Sequence, residues 1–128
     1  MEIHHIGYAV KYINKAINDF KILGFHQISK IYTDDTRKVY ISFLFNNIIQ
    51  IELVAPINDH SPINQVLKNG ETPYHLCFAV TNIDDEIAKL KKYNFISIDN
   101  PSESLAINNR RVCFIYKLGI GLIELVEK

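Results

Sequence analysis

Two kinds of hydrophobic periodicity follow one another along the chain, and the succession occurs twice. Residues 3–10 alternate in a β-rich segment, whereas Ile13, Ile17, Phe20 and Leu23 fall at helical spacing and stop at Gly24, a residue suited to a helix C-cap. A strand followed by a helix is predicted. Three further strands are expected at residues 25–31, 39–45 and 48–54, with Asp34 and Asp35 in one turn, Asn46 and Asn47 in a tight hairpin turn, and Pro56 ending the last strand. A linker with Pro62 and one short helix, 63–67, precedes the second round. That round predicts a strand at 74–80, a helix at 83–93 capped by Asn82, and strands at 95–98, 111–116 and 121–126.

The recurrence is also one of identity. With His5 written over His75, Ala9/Ala79, Val10/Val80, Ile13/Ile83, Ile17/Ile87, Lys21/Lys91 and Phe25/Phe95 match, so seven of 21 positions agree without a gap. Ile-Glu-Leu-Val occurs at 51–54 and again at 123–126, placing Glu52 47 residues after His5 and Glu124 49 after His75. The period of about 70 residues exceeds that of solenoids and propellers. The expectation is an α+β fold of two tandem βαβββ modules, at about 1–56 and 73–128, joined by a linker at about 57–72 within one domain spanning 1–128. Each module alone would bury too little surface to be more than marginally stable.

Alternation along a strand sends neighbouring side chains to opposite faces of the sheet. Ile51 and Leu53 therefore share one face and Glu52 takes the other, as Glu124 does between Ile123 and Leu125. Tyr74, Leu76, Phe78 and Val80 are expected to face the helices, leaving His75, Cys77 and Ala79 on the opposite side with their counterparts His5, Gly7 and Ala9. Two histidines and two glutamates thus fall in matching positions on the face away from the helices. His4 points to the other face. Such a set offers a divalent metal two imidazoles and two carboxylates, and it suits nickel, cobalt, manganese or zinc.

Charge and composition narrow the partners. Fourteen basic and fourteen acidic residues cancel, which removes the electrostatic footprint of a nucleic-acid or anionic-membrane binder. No apolar run approaches the roughly 18 residues that span a bilayer, and Met1 leads into Glu2 and His4 with no basic-then-apolar leader. A cytoplasmic protein is expected. Cys77 and Cys113 form no zinc or redox motif and are expected as thiols.

The segments His5-Ile-Gly-Tyr-Ala-Val, Ile22-Leu-Gly-Phe, Ile51-Glu-Leu-Val-Ala-Pro, Tyr74-His-Leu-Cys-Phe-Ala-Val and Gly121-Leu-Ile-Glu-Leu-Val-Glu together resemble the vicinal oxygen chelate superfamily, which includes glyoxalase, bleomycin-resistance and dioxygenase proteins. The resemblance covers essentially the whole chain. It implies paired βαβββ modules closing a U-shaped mixed sheet around one divalent metal held by His5, Glu52, His75 and Glu124. Within the superfamily, Glu-Leu-Val-Ala-Pro, Ser61-Pro62-Ile63, Asn69-Gly70 and the Asp84-Asp85 helix start resemble methylmalonyl-CoA epimerases. A homodimer acting on an acyl-CoA thioester or similar carbonyl compound is expected.

The reaction this implies is abstraction of a proton next to a carbonyl, through an enediolate that the metal stabilises as a Lewis acid. Glu124 is expected as one acid/base. The epimerases place a second, a glutamate, where this chain has Thr36, so Asp35 or Asp34 is the expected substitute through a small loop shift, and Asp35 is taken as the second acid/base. Arg111 and Tyr40 are candidate substrate-binding residues, Arg111 through bidentate contact with a carboxylate or phosphate. Glyoxalase I-like lactoylglutathione lyase activity is the alternative. Its glutathione-binding arginine, four residues after the first ligand, is matched here by Ala9, and its asparagine, four after the second, by Pro56. A non-enzymatic, resistance-type binder is a further alternative, although such proteins lack the full ligand set. An iron dioxygenase is disfavoured because Glu52 would fill a position that oxygen chemistry needs.

Overall fold

Both rounds of the pattern fold as strand, helix and then strands. The computed structural model describes residues 1–128. Its first round comprises β1 (Glu2–Ala9), α1 (Ile13–Ile22), β2 (His26–Gln27), β3 (Tyr32–Asp34), β4 (Val39–Phe45) and β5 (Gln50–Pro56). A connecting helix, α2 (Ile63–Val66), runs into a 3₁₀ turn at Leu67–Asn69. The second round is β6 (Thr72–Val80), α3 (Ile83–Lys91), β7 (Ile96–Ser97), β8 (Ser102–Ser104), a 3₁₀ turn at Leu105–Ile107, β9 (Arg110–Lys117) and β10 (Gly121–Glu127). The fold class is α+β, as the periodicity predicted.

The chain divides into two units, one holding His5–Tyr74 and the other His75–Lys128 with Met1–His4. In the first, β1 runs parallel to β5, β5 antiparallel to β4, and β4 pairs with both β2 and β3. The second repeats the scheme: β6 is parallel to β10, β10 antiparallel to β9, and β9 pairs with β7 and β8. One face of each sheet is covered by its helix. Ile13 and Ile17 of α1 pack on Leu44, Ile51, Leu53 and Ala55, while Ile83, Ile87 and Leu90 of α3 pack on Cys113, Ile115, Ile123 and Leu125. Burying each such side chain stabilises the fold by about 1.5–3 kcal/mol.

The helices end alike. Gly24 after α1 and Asn94 after α3 both take positive φ, +88° and +69°, which lets Phe25 and Phe95 donate backwards to the carbonyls of Phe20 and Leu90. Their starts differ. Asn82 caps α3 by accepting from the Asp85 amide at 2.9 Å, whereas α1 has no side-chain cap.

The sequence pattern missed one feature twice. Residues 25–31 were expected as one strand, yet β2 stops at Gln27 and a separate strand begins at Tyr32. The cause is a side chain in the ladder: Ser29 Oγ accepts the Phe43 amide at 2.9 Å, taking the place of a backbone carbonyl, so the chain turns away and rejoins β4 at Tyr32. Asp99 does the same in the second unit, its Oδ1 accepting the Phe114 amide at 2.8 Å before β8 begins. Polar side chains that compete with backbone ladders are a local effect that hydrophobic periodicity does not register.

Two outcomes follow for stability. Asn82→Ala should lower the unfolding free energy by about 1 kcal/mol, read from the denaturant midpoint. Burial, with the nearby Asp99, pushes the Cys113 thiol from 9.0 up to about 12. An unfolded chain releases that proton near pH 9 while the folded one keeps it, so the thiol's contribution is complete below pH 9 and is lost as the pH rises toward 12. Stability of Cys113→Ala should fall less steeply with pH over that window than stability of the unmodified protein.

Candidate metal and catalytic site

Strand register decides which side chains share a face. Glu52 on β5 lies opposite Gly7 of β1 and Phe43 of β4, and it is thereby turned away from Ile51 and Leu53, which pack under α1. His5, two residues before Gly7, has the same orientation. Its Nε2 stands 3.5 Å from Glu52 Oε1, and its ring meets that of Phe43 edge-on with centroids 5.3 Å apart. Histidine and glutamate are both buried.

The second unit builds the same group from its own strands. Glu124 on β10 lies opposite Cys77 of β6 and Phe114 of β9, His75 Nε2 stands 3.5 Å from Glu124 Oε1, and the His75 and Phe114 rings meet edge-on at 5.2 Å. Both residues of this pair are buried too. The duplication therefore reproduces a distance as well as residue types.

A buried carboxylate costs several kcal/mol unless compensating charge and hydrogen bonds surround it. At 3.5 Å the imidazole and carboxylate are farther apart than a good N–H···O bond, which is about 2.7–3.2 Å. Two ligands bound at about 2.0–2.2 Å to one ion, 90–110° apart, lie about 3–3.5 Å from each other. Each pair has that spacing. Imidazole nitrogen with carboxylate oxygen is also the donor chemistry that divalent transition metals take, so His5, Glu52, His75 and Glu124 fit a divalent ion as candidate ligands.

Around each pair lies a support the sequence reading did not identify. Phe43 and Phe114 wall the histidines, and their amides are held by Ser29 and Asp99. Ser42 and Cys113, the residues just before those phenylalanines, each donate at 3.3 Å to the backbone carbonyl of Ser29 or Asp99. The signal was present in the repeat, since Ser42-Phe43-Leu44-Phe45 and Cys113-Phe114-Ile115-Tyr116 align once the match is carried through to the fourth strand.

Tyr40 and Arg111, expected to bind substrate, face away from the glutamates. Tyr40 is opposite Ala55 and packs on the cluster under α1, so it sits on the helix-covered face and not with Glu52. Arg111, opposite Glu103 on β8, does not reach toward Glu124. Register puts it with Cys113 and Ile115, and its guanidinium clasps Asp84 at the start of α3 in a bidentate pair, at 3.0 and 3.2 Å. Hydrogen bonding to Asp84 raises the Arg111 pKa further. Arg110 has the parity of Glu124 instead, and its Nε donates to the Glu127 carbonyl at 2.6 Å. Asp35 and Thr36 are exposed in the β3–β4 turn. Asp34 is buried and holds that turn by accepting from the Arg37 amide at 3.0 Å and guanidinium at 2.9 Å.

Known proteins resemble the chain in sequence and in fold. Residues 4–114 match the model of the Glyoxalase/Bleomycin resistance protein/Dioxygenase superfamily. The chain belongs to that superfamily. A mitochondrial methylmalonyl-CoA epimerase of Dictyostelium discoideum is 24% identical, the match covering 99% of this chain and 78% of the relative. Its counterpart from Homo sapiens is 25% identical over 98% of this chain and 73% of the relative. The crystal structure of methylmalonyl-CoA epimerase from Mycobacterium tuberculosis superimposes with a TM-score of 0.86 at 27% identity, covering 98% of this chain and 87% of that one. The α+β architecture of this superfamily member is thus that of solved epimerases. No helix is long and apolar enough to cross a membrane.

Glu52→Gln should weaken divalent-metal binding at least tenfold by calorimetry while leaving the thermal unfolding midpoint of the metal-stripped protein unchanged or higher. The substitution keeps the shape and removes a buried charge. A protein that unfolds outright would mean that Glu52 supports the core.

Proposed function

We propose that the protein is a divalent-metal-dependent epimerase of the methylmalonyl-CoA type, acting on a carbon acid next to a thioester carbonyl. The observation that carries this reading is the buried His–Glu pair, built twice with the same 3.5 Å separation. Similarity to methylmalonyl-CoA epimerases over nearly the whole chain supports it. In this reading His5, Glu52, His75 and Glu124 are the ligands of the divalent ion.

When bound, a divalent cation would supply Lewis acidity to the substrate's oxygens, lowering the cost of removing the α-proton by several kcal/mol. The chain's own residues do the rest. His5 and His75 pack against Phe43 and Phe114 in T-shaped contacts beside their glutamates. Glu124 takes the α-proton from one side. An epimerase needs a second proton carrier for the other face, and Asp34 is poorly suited because its buried carboxylate is already taken up by the Arg37 amide and guanidinium. We assign that role to Asp35, whose exposed turn position leaves its carboxylate accessible. The burial of both His–Glu pairs keeps bulk water from quenching the carbanion before it is reprotonated.

Exchange of the α-proton into deuterated water, followed by NMR on the metal-loaded protein, tests the reading. Methylmalonyl-CoA should exchange, Glu124→Gln should abolish exchange, and Asp35→Asn should slow inversion by at least 100-fold while exchange with retention persists. Exchange only on the glutathione hemithioacetal would transfer the protein to the glyoxalase class. No exchange on any thioester, with no metal by elemental analysis, would sink the enzyme reading.

A further inference from the structure

Turn chemistry explains one residue at the tip of the β9–β10 hairpin and leaves its neighbours unexplained. The Ile120 amide donates to the Lys117 carbonyl at 3.0 Å and Gly119 takes φ +93°, so the tight turn needs a glycine at 119. It needs nothing apolar on either side, where turns favour polar residues. Leu118 and Ile120 nonetheless stand 84% and 58% exposed. Tyr93, 63% exposed in the turn after α3, lies at the same end, because Phe95 just beyond it sits 5.9 Å beneath the Lys117 ammonium and Ile96 pairs with Tyr116. Three large side chains therefore project from one end of the second unit without a core to fill.

The charge at this end has one sign. Residues 87–98 and 115–123 contain four lysines and no acidic residue, while the acids of α3, Asp84, Asp85 and Glu86, all lie in its first turn. Lys89 reaches back to Glu86 at 3.6 Å, which leaves Lys91, Lys92 and Lys117 around the tip. A helix C-terminus favours cations, which accounts for Lys91 and Lys92 but not for Lys117 on the hairpin. The neutral total of the chain conceals this segregation. The first unit repeats the apolar end, with Ile22, Leu23 and Ile48 exposed, but not the charge: Ile22 and Asn46 stand where the second unit has Lys92 and Lys117.

We propose that this end of the second unit docks on an anionic lipid surface, with Leu118, Ile120 and Tyr93 entering the boundary between headgroups and acyl chains and Lys91, Lys92 and Lys117 meeting the phosphates. Exposed aliphatic residues beside an aromatic ring and a cluster of lysines are the composition that holds a protein at such an interface. The shape agrees. A protruding turn requires a matching pocket in a protein partner, whereas a fluid interface yields around it, and lysine stems lie along apolar surface while their ammonium groups reach the headgroups. Attachment of this kind is peripheral and weakens with salt. It is independent of the reaction proposed above, since neither His75 nor Glu124 takes part.

Sedimentation of the full chain with lipid vesicles tests the proposal. Binding to phosphatidylcholine mixed with phosphatidylserine should be roughly tenfold or more tighter than to phosphatidylcholine alone, and should fall as salt rises from about 0.1 to about 0.5 M. Lys91→Gln with Lys92→Gln should weaken it roughly tenfold or more. Leu118→Ser with Ile120→Ser should weaken it by about the same factor with thermal unfolding unchanged, because neither side chain belongs to the core. Leu105→Ser, an exposed change in the turn at the far end of β9, should leave binding within about twofold. No binding to the anionic vesicles, equal binding to the neutral ones, full binding by either double variant, or an equal loss with Leu105→Ser overturns the proposal. If Leu118→Ser with Ile120→Ser abolishes self-association by light scattering and leaves vesicle binding intact, the tip belongs to a second copy of the chain instead.

Discussion

Two glutamates sit in apolar interiors with an imidazole 3.5 Å away, and most of the structure can be read as the means of keeping them there. A buried carboxylate is tolerated only when opposite charge and directed donors outweigh its lost hydration. Strand pairing supplies the direction, because register on β5 and β10 leaves Glu52 and Glu124 no freedom to turn toward the helices. The leucines and isoleucines on either side anchor that register by filling the cores under α1 and α3. A slip of one residue would bury the carboxylates among those helices and expose the isoleucines.

Duplication explains why the supports are paired as well as the ligands. Ser29 and Asp99 interrupt a strand in order to hold the amide of a phenylalanine, Ser42 and Cys113 donate to their carbonyls, and the phenylalanine packs against the histidine. Residue identity has drifted at two of these positions while the hydrogen-bond geometry has not. At the outer strands the copies differ in one residue of a pair, His26 opposite Phe45 against Ile96 opposite Tyr116, while Ile28 and Ile98 donate alike to the Phe43 and Phe114 carbonyls.

Legibility in the sequence tracked the range of the interactions involved. Long strands, both main helices, their Gly24 and Asn82 boundary signals and the direction of every candidate ligand came from periodicity, which is a local property of a half-buried element. Tyr40, Arg111 and the strand interruptions did not. Tyr40 alternates out of phase with Glu52 only once β4 is registered against β5, and Arg111 finds Asp84 because α3 lies against its strand.

The sequence by itself determined the duplicated α+β pattern and the four residues able to ligate a metal, since repetition and alternation are written along the chain. The tertiary structure alone decided how near each histidine stands to its glutamate and which aromatic ring packs against it. Those depend on strands far apart in sequence lying about 4.8 Å apart in a sheet, and no local pattern encodes which residues such pairing sets side by side.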